Sequence, residues 1–474
     1  MLFTSFPFLL FLPVVFLIYW AAYRSRKAQN LILLGASYFF FAWWDWRFCF
    51  LLLFSSSFGY FTAMYIGESE DERKRKILMI LSAVVHLGIL CYFKYFNFFV
   101  ESFVTLATRS GWHLNYIPVN IILPLAISFF TFHILGYTFD IYNRKYEHAK
   151  NYTEFITHIA FFPQLIAGPI ERAGHLLPQF EQPRVFDIKK AEDGLSQILW
   201  GFFKKIVIAD TLALQVNYVF AHYAELNAIT IAFGVILFTF QMYCDFSGYS
   251  DIALGSARLL GFELLQNFNY PFFSKSITEF WRKWHISLSS WINDYLFTPI
   301  SFKRRDWGMW GIFYAAILSF AISGLWHGAS WTFIIWGVLQ GIAISYELIT
   351  KKQRKKASKR FNPLVYGVLS TVLVFLFWSF TQLVFRSQNM AELSGILHRL
   401  VSADWVGPID IQLIGLLWVA GLLVVERIQR KRAYGLSVMH LSYLYRWPIY
   451  ALLIILIFSS KNLNNQSEFL YFKF

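Results

Sequence analysis

Two histidines stand out in residues 279–331, which read EFWRKWHISLSSWINDYLFTPISFKRRDWGMWGIFYAAILSFAISGLWHGASW. His285 lies in the first half, which is polar on one side and aromatic on the other. His327 lies at the end of the apolar second half, with Gly324 and Gly328 around it. An apolar setting disfavours the charged imidazolium and keeps the ring neutral, the form that can take a proton from a hydroxyl. A lone histidine in such a setting can equally serve as a hydrogen-bonding tie between helices. The residues alone leave both readings open.

Other groups could join such chemistry. The run QMYCDFSGYSDIALG carries Asp245, Ser247 and Asp251. Ser247 and Asp251 are four apart and share one helical face, while Asp245 projects from another. Carboxylates in an apolar run are costly, so they either handle protons or hold a glycine-broken turn against neighbouring helices. Tyr471, in the closing FLYFKF, offers a phenolic hydroxyl that a base could activate. The same aromatics could instead anchor at a membrane interface or dock into a groove. No GxSxG elbow, Walker A loop or GxGxxG loop is present. A histidine without a resident nucleophile suits direct transfer between two bound substrates, with His327 deprotonating the acceptor hydroxyl.

The elements that must position these groups follow from composition. Of 474 residues, 57% are hydrophobic and 15% charged, and the mean hydropathy is +0.47. A soluble domain carries about a quarter charged residues, so this chain cannot cover a water-facing surface. Apolar stretches of helix-spanning length between short charged loops predict an all-α polytopic membrane protein with about eleven spans. The net charge of +14 is concentrated at residues 24–27, 73–76, 303–305, 351–360 and 427–432, each flanking an apolar run. That is a topology signal and not a nucleic-acid footprint. It places those loops in the cytoplasm and both termini outside, with 461–474 as an extracytoplasmic tail. Cys49, Cys91 and Cys244 show no CxxC spacing and no histidine cluster, so neither a disulfide nor a metal is expected.

Several stretches refine the picture. Spans are expected near 6–23, 30–44, 48–66, from 77 outward, 119–142, 195–220, 229–259, two passes between 310 and 350, 363–385, 411–426 and 443–459. Residues 153–183 are apolar but hold Pro163, Gly168, Pro169, Gly174 and Pro178, which predicts a broken or re-entrant segment on the cytoplasmic side, with an ordinary proline-kinked span as the alternative. In the first half of 279–331, Trp281, Trp284, His285, Leu288, Trp291, Ile292 and Tyr295 fall on one stripe about 120° wide. An amphipathic helix is expected there, lying along the cytoplasmic interface with tryptophans at headgroup depth or dipping into the protein. His285 would then sit near the cytoplasmic face and His327 deep, at the turn between two passes, unless the helix dips inward and lets the two meet.

The motifs FFPQLIAGPIERAGHLLPQF, YCDFSGYSDIALG, SITEFWRKWHISLSSWINDYL and SGLWHGASW, in this order, resemble the bacterial branch of the membrane-bound O-acyltransferase family, alginate and peptidoglycan O-acetyltransferase types. The resemblance covers the whole chain as one membrane domain, with its core motifs in 153–350. It implies a ring of helices with interfacial and re-entrant pieces around a central funnel and tunnel. It implies that His327 is the family's essential histidine and His285 its second one. Trp281, Trp284, Asn293, Asp294 and Trp326 would line the donor tunnel, with Asp245, Ser247 and Asp251 supporting them. Acetyl-CoA would donate from the cytoplasm without a metal. Tyr471 or the serine of an SGNH-type extracytoplasmic partner would accept, for O-acetylation of an envelope polysaccharide. Lys473 stands where relatives often have a neutral polar residue. The alternatives are D-alanyl transfer to teichoic acid, or transport of an acetylated carrier.

Overall fold

The computed structural model describes residues 1–112, 114, 116–460 and 469–470. All regular structure among them is helical. The chain packs as two units, one of residues 1–194 with 256–265 and one of 195–255 with 266–474.

In the first unit, α1 (Phe6–Ala21), α2 (Arg26–Asp45), α3 (Phe48–Glu68) and α4, which continues from Glu72 through a π-helical turn to Arg109, carry the apolar runs. A buried guanidinium ties their ends. Arg75 donates to the carbonyls of Ile66, Ile141 and Tyr142, which satisfies helix-terminal acceptors that would otherwise be orphaned. The expected span 119–142 is helical only from Ile127, as α5 (Ile127–Tyr142). Pro118 and Pro124 keep the preceding stretch irregular, because proline lacks the donor and restricts the residue before it. Residues 153–183 are broken as their prolines predict. Helix α6 (Tyr152–Ala160) gives way to a single turn, Phe162–Leu165, and then to α7 (Ala173–Glu181).

The second unit carries the candidate chemistry. Helix α8 (Ile188–Phe202), which enters this unit at residue 195, runs into a π-helical turn, Phe203–Ala209, and α9 (Asp210–Ala221); α10 (Ala228–Leu259) follows and belongs to it up to residue 255. Short helices α11 (Ile277–Trp281), α12 (Ile286–Ile292) and α13 (Thr298–Lys303) lead to the hairpin of α14 (Met309–His327) and α15 (Trp331–Ile349). Beyond it come α16 (Lys351–Arg360), α17 (Pro363–Arg386), α18 (Met390–Ser402), α19 (Leu413–Gln429) and α20 (Tyr443–Ser460). The hairpin closes because glycines face backbone. A Cβ on Gly324 would stand 2.1 Å from the Phe333 carbonyl oxygen, and one on Gly337 2.0 Å from that of Phe320.

Seven helices among the described residues are long and apolar enough to cross a membrane: α3, α4, α10, α14, α15, α17 and α20. The expected count of about eleven is not confirmed. Helices α1, α5 and α19 reach only 16, 16 and 17 residues. Two further expectations fail. Helix α10 runs unbroken through Gly248 and Gly255, so there is no glycine-broken turn for Asp245 and Asp251 to hold. The amphipathic stretch is not one helix but α11, a turn, α12, a second π-helical turn (Asn293–Phe297) and α13.

Candidate functional site

The break in that stretch falls at His285, which adopts a left-handed backbone with φ 43°. A non-glycine residue there carries strain that its surroundings must hold. The loop before α11 supplies the hold. Ile286 N–H donates to the Asn267 carbonyl at 2.9 Å, Asn269 N–H to the Lys283 carbonyl at 2.9 Å, and Ser287 Oγ to Asn267 Oδ1 at 2.6 Å. The imidazole is thereby turned inward and is 1% exposed. It meets Phe246 edge-on at 4.7 Å between ring centroids. Burial pushes its pKa down to about 3, so the ring is neutral.

The tryptophans of the stripe are interior. Trp281, Trp284 and Trp291 are all buried, so these rings pack against protein, as the inward-dipping alternative requires. Trp284 and Trp281 pack on Trp378 at 4.9 and 5.5 Å, and Trp281 Nε1 donates to Gln340 Oε1 at 3.3 Å. Glu347 fixes the start of α11 by accepting from Ile277 N–H at 2.7 Å and from Thr278 N–H and Oγ at 3.0 and 2.8 Å.

His327 closes α14 at the turn into α15 and is buried. Trp336 and Phe385 stand edge-on to it at 5.2 and 5.4 Å. Trp326 lies 4.9 Å from His327 and 6.2 Å from His285. The two histidines therefore meet the same indole, and the separation expected from topology gives way to one aromatic cluster. Beside it, a cavity of about 530 Å³ is lined by Trp281, Arg282, Ser290, Asn293, Ser319 and Ser323, among others. Of the expected tunnel residues, Trp281 and Asn293 reach this cavity. Asp294 is exposed and accepts from Asn293 Nδ2 at 3.1 Å; Trp284 and Trp326 belong to the aromatic packing.

The carboxylates of α10 are paired with lysines that the sequence reading passed over. Lys204 and Lys205 sit in the apolar run FFKKIVIAD and are both buried in the π-helical turn. Lys204 Nζ lies 2.7 Å from Asp251 Oδ2 and donates to Ser247 Oγ at 2.8 Å. Lys205 Nζ lies 2.6 Å from Asp245 and 2.8 Å from Asp210. Gln197 donates to the other Asp251 oxygen at 2.8 Å. Close approach makes this possible, since a Cβ on Gly201 would fall 2.5 Å from the Gly248 carbonyl oxygen. Breaking one such buried pair costs about 3–5 kcal/mol. The signal was present: two lysines in one apolar run and two aspartates in another need each other.

Tyr471 lies outside the described residues. Phe469 and Leu470 of the same tail are buried. Leu470 N–H donates to the free side of Asp245, Oδ2, at 2.8 Å, and the Phe469 ring packs on Tyr249 at 4.2 Å. These two residues thus dock into the chain itself, the groove reading of the tail. No group of three or more histidine, cysteine, aspartate or glutamate side chains suited to a metal ion occurs among the described residues.

The model of the membrane-bound O-acyltransferase family matches residues 142–386, which include both histidines, the paired carboxylates and the cavity. The probable alginate O-acetylase AlgI of Pseudomonas aeruginosa is 39% identical over 394 residues, covering 82% of this chain and 73% of that protein. A peptidoglycan O-acetyltransferase of Helicobacter pylori is 32% identical over 425 residues, covering 84% and 79%. A teichoic acid D-alanyltransferase of Bacillus subtilis is 27% identical over 289 residues, covering 57% and 70%.

Proposed function

Because the chain belongs to the membrane-bound O-acyltransferase family, and is thus an integral-membrane O-acyl transfer enzyme, we propose that it takes an acetyl group from cytoplasmic acetyl-CoA and passes it across a bacterial cytoplasmic membrane. The acceptor is Tyr471 or a serine of an SGNH-type extracytoplasmic acetyltransferase, and the final product is an O-acetylated envelope polysaccharide of the alginate or peptidoglycan kind. The carrying observation is His327, a buried imidazole at the end of the helix whose upstream face lines the cavity.

The imidazole of His327 takes the acceptor hydroxyl's proton as that oxygen attacks the thioester carbonyl. The C–O bond forms, the C–S bond breaks, and the leaving thiolate receives the proton from the imidazolium. The products are an acetyl ester and free thiol. His285 supports the position of His327 through Trp326, the indole that borders both imidazoles. Carrying only the acyl group through protein spares the charged cofactor a passage through lipid.

The test is acyl transfer by the purified protein. Labelled acetyl-CoA is expected to place label on Tyr471 or on a supplied partner serine, with at least a hundredfold slower labelling in His327→Ala, about the size of general-base effects. Equal labelling in both proteins overturns the base role. A transporter of acetylated carrier would leave no acyl-enzyme at all, and a D-alanyl enzyme would label only from a D-alanyl thioester.

A further inference from the structure

Two hydroxyls in the cavity beside α11 and α12 have no task in the folded chain. Ser319 and Ser323 line it from α14, at 1% and 2% exposure, and neither Oγ has a hydrogen-bond partner among the described residues. The usual fate of a helical serine is visible nearby. Ser345 Oγ donates to the Gly341 carbonyl at 2.8 Å, and Ser387 Oγ to that of Leu383 at 2.9 Å, each one turn back. Ser319 and Ser323 forgo that bond. A buried hydroxyl without a partner is unfavourable, so a ligand that supplies polar atoms there is favoured over one that does not.

The spacing narrows the ligand. Ser319, Ser323 and His327 are successive residues four apart on one helix, so they follow one face at steps of about 6 Å. The rest of the lining is largely apolar, with Ile286, Leu288 and Ile344 among it, while Arg282 and Asn293 add polar groups. The matching ligand is long and narrow, with hydrogen-bonding groups at that interval. A pantetheine arm has two amides whose carbonyl carbons are four bonds apart, about 5 Å when extended. A lipid acyl chain offers nothing to either serine.

We propose that Ser323 and Ser319 bind the inner and outer amides of the pantetheine arm of the thioester donor and so set its carbonyl at His327. This rests on the donor reading above and assigns the residues that recognise the arm. Coenzyme A and a phosphopantetheinylated carrier protein present the same arm, so both are sources of it.

Truncated donors test the assignment. Acetyl-pantetheine has both amides, and S-acetyl-N-acetylcysteamine has only the inner one. Ser319→Ala is expected to raise KM for acetyl-pantetheine about three- to tenfold, the loss of one neutral hydrogen bond, with kcat within twofold and KM for the truncated donor unchanged. Ser323→Ala raises KM for both donors, and Ser319→Thr restores the full-length value. A Ser319→Ala protein indistinguishable from wild type, or equally impaired with both donors, overturns the assignment while leaving the reaction intact. Calorimetric binding of S-ethyl-pantetheine, which cannot react, separates the two claims. Wild-type binding that weakens in Ser319→Ala upholds the arm site even if acetyl transfer fails, and equal binding by both proteins refutes it. Acetyl-CoA and an acetyl-loaded acyl carrier protein, compared by KM, then show which source is used.

Discussion

His285 carries two loads at once, a strained backbone and a buried ring. Its imidazole is buried, and burial lowers its pKa from the ordinary 6.5 to about 3. The unfolded chain therefore binds a proton below 6.5 that the folded chain refuses until about 3. Stability from this group is complete above pH 6.5 and is lost as pH falls from there, at about 1.4 kcal/mol per unit for one proton. His285→Asn removes the titration and still tolerates the left-handed backbone. In detergent, the melting temperature of this variant should fall less steeply between pH 6.5 and 5 than that of wild type. Parallel slopes would mean that His285 is already charged in the folded protein. Asparagine also spares the fold the strain that a β-branched residue would add, so turnover of the variant reports on the ring itself.

At the scale of helices, close approach decides the site. The α14–α15 hairpin holds His327, Ser319 and Ser323 in place only because Gly324 and Gly337 leave room for carbonyls. Gly337→Ala would drive a methyl group to 2.0 Å from the Phe320 carbonyl oxygen, a backbone atom that cannot swing aside. This variant should melt several degrees lower, or lose monodispersity, in size-exclusion thermal assays. Gly421→Ala in α19 is the control. Nothing lies within 4 Å of its added carbon, and alanine favours a helix interior by about 1 kcal/mol, so it should be neutral or stabilising. If both variants behave alike, the hairpin is looser than its geometry states. Such packing is also where sequence reading stops. Helix α10 and the hairpin were legible from their long apolar runs. So was the fracture of 153–183, because proline acts locally. The break at His285 was not. A period of 3.6 continues across it from Trp281 to Tyr295, and periodicity cannot register one residue turned left-handed by bonds to Asn267, a residue distant in sequence. The Lys204 and Lys205 pairings were hidden for a related reason. They depend on which faces of α8 and α10 meet, set by Gly201 and Gly248. The family motifs drew attention to both histidines, and one of them, SGLWHGASW, opens on Ser323; none of them includes Ser319, and no motif could show that the two hydroxyls forgo the usual bond to the preceding turn.

For the molecule as a whole, sidedness links charge to function. Of the ten residues of α16, KKQRKKASKR, none is buried, and most are basic. Such a helix beside two apolar spans is expected on the cytoplasmic side, where anionic lipid favours it and translocation of its charges is costly. The chain leaves α15 directly into α16, while α14 begins just beyond the basic residues 303–305. Both ends of the hairpin away from His327 therefore carry positive charge, and His327 marks its opposite end. The face of α14 reached first from the basic side is that of Ser319, then Ser323, then His327. An anionic donor attracted by the basic flank meets the three residues in the order in which its arm would use them. Cysteine labelling tests this orientation. In a protein whose Cys49, Cys91 and Cys244 are replaced by alanine, Lys356→Cys should resist a membrane-impermeant maleimide in intact cells and react fully once the membrane is permeabilised. Labelling in intact cells would place the basic flank outside. The Ser319 end of the cavity would then open away from the compartment that holds acyl thioesters, and the direction of transfer assigned to His327 could not stand.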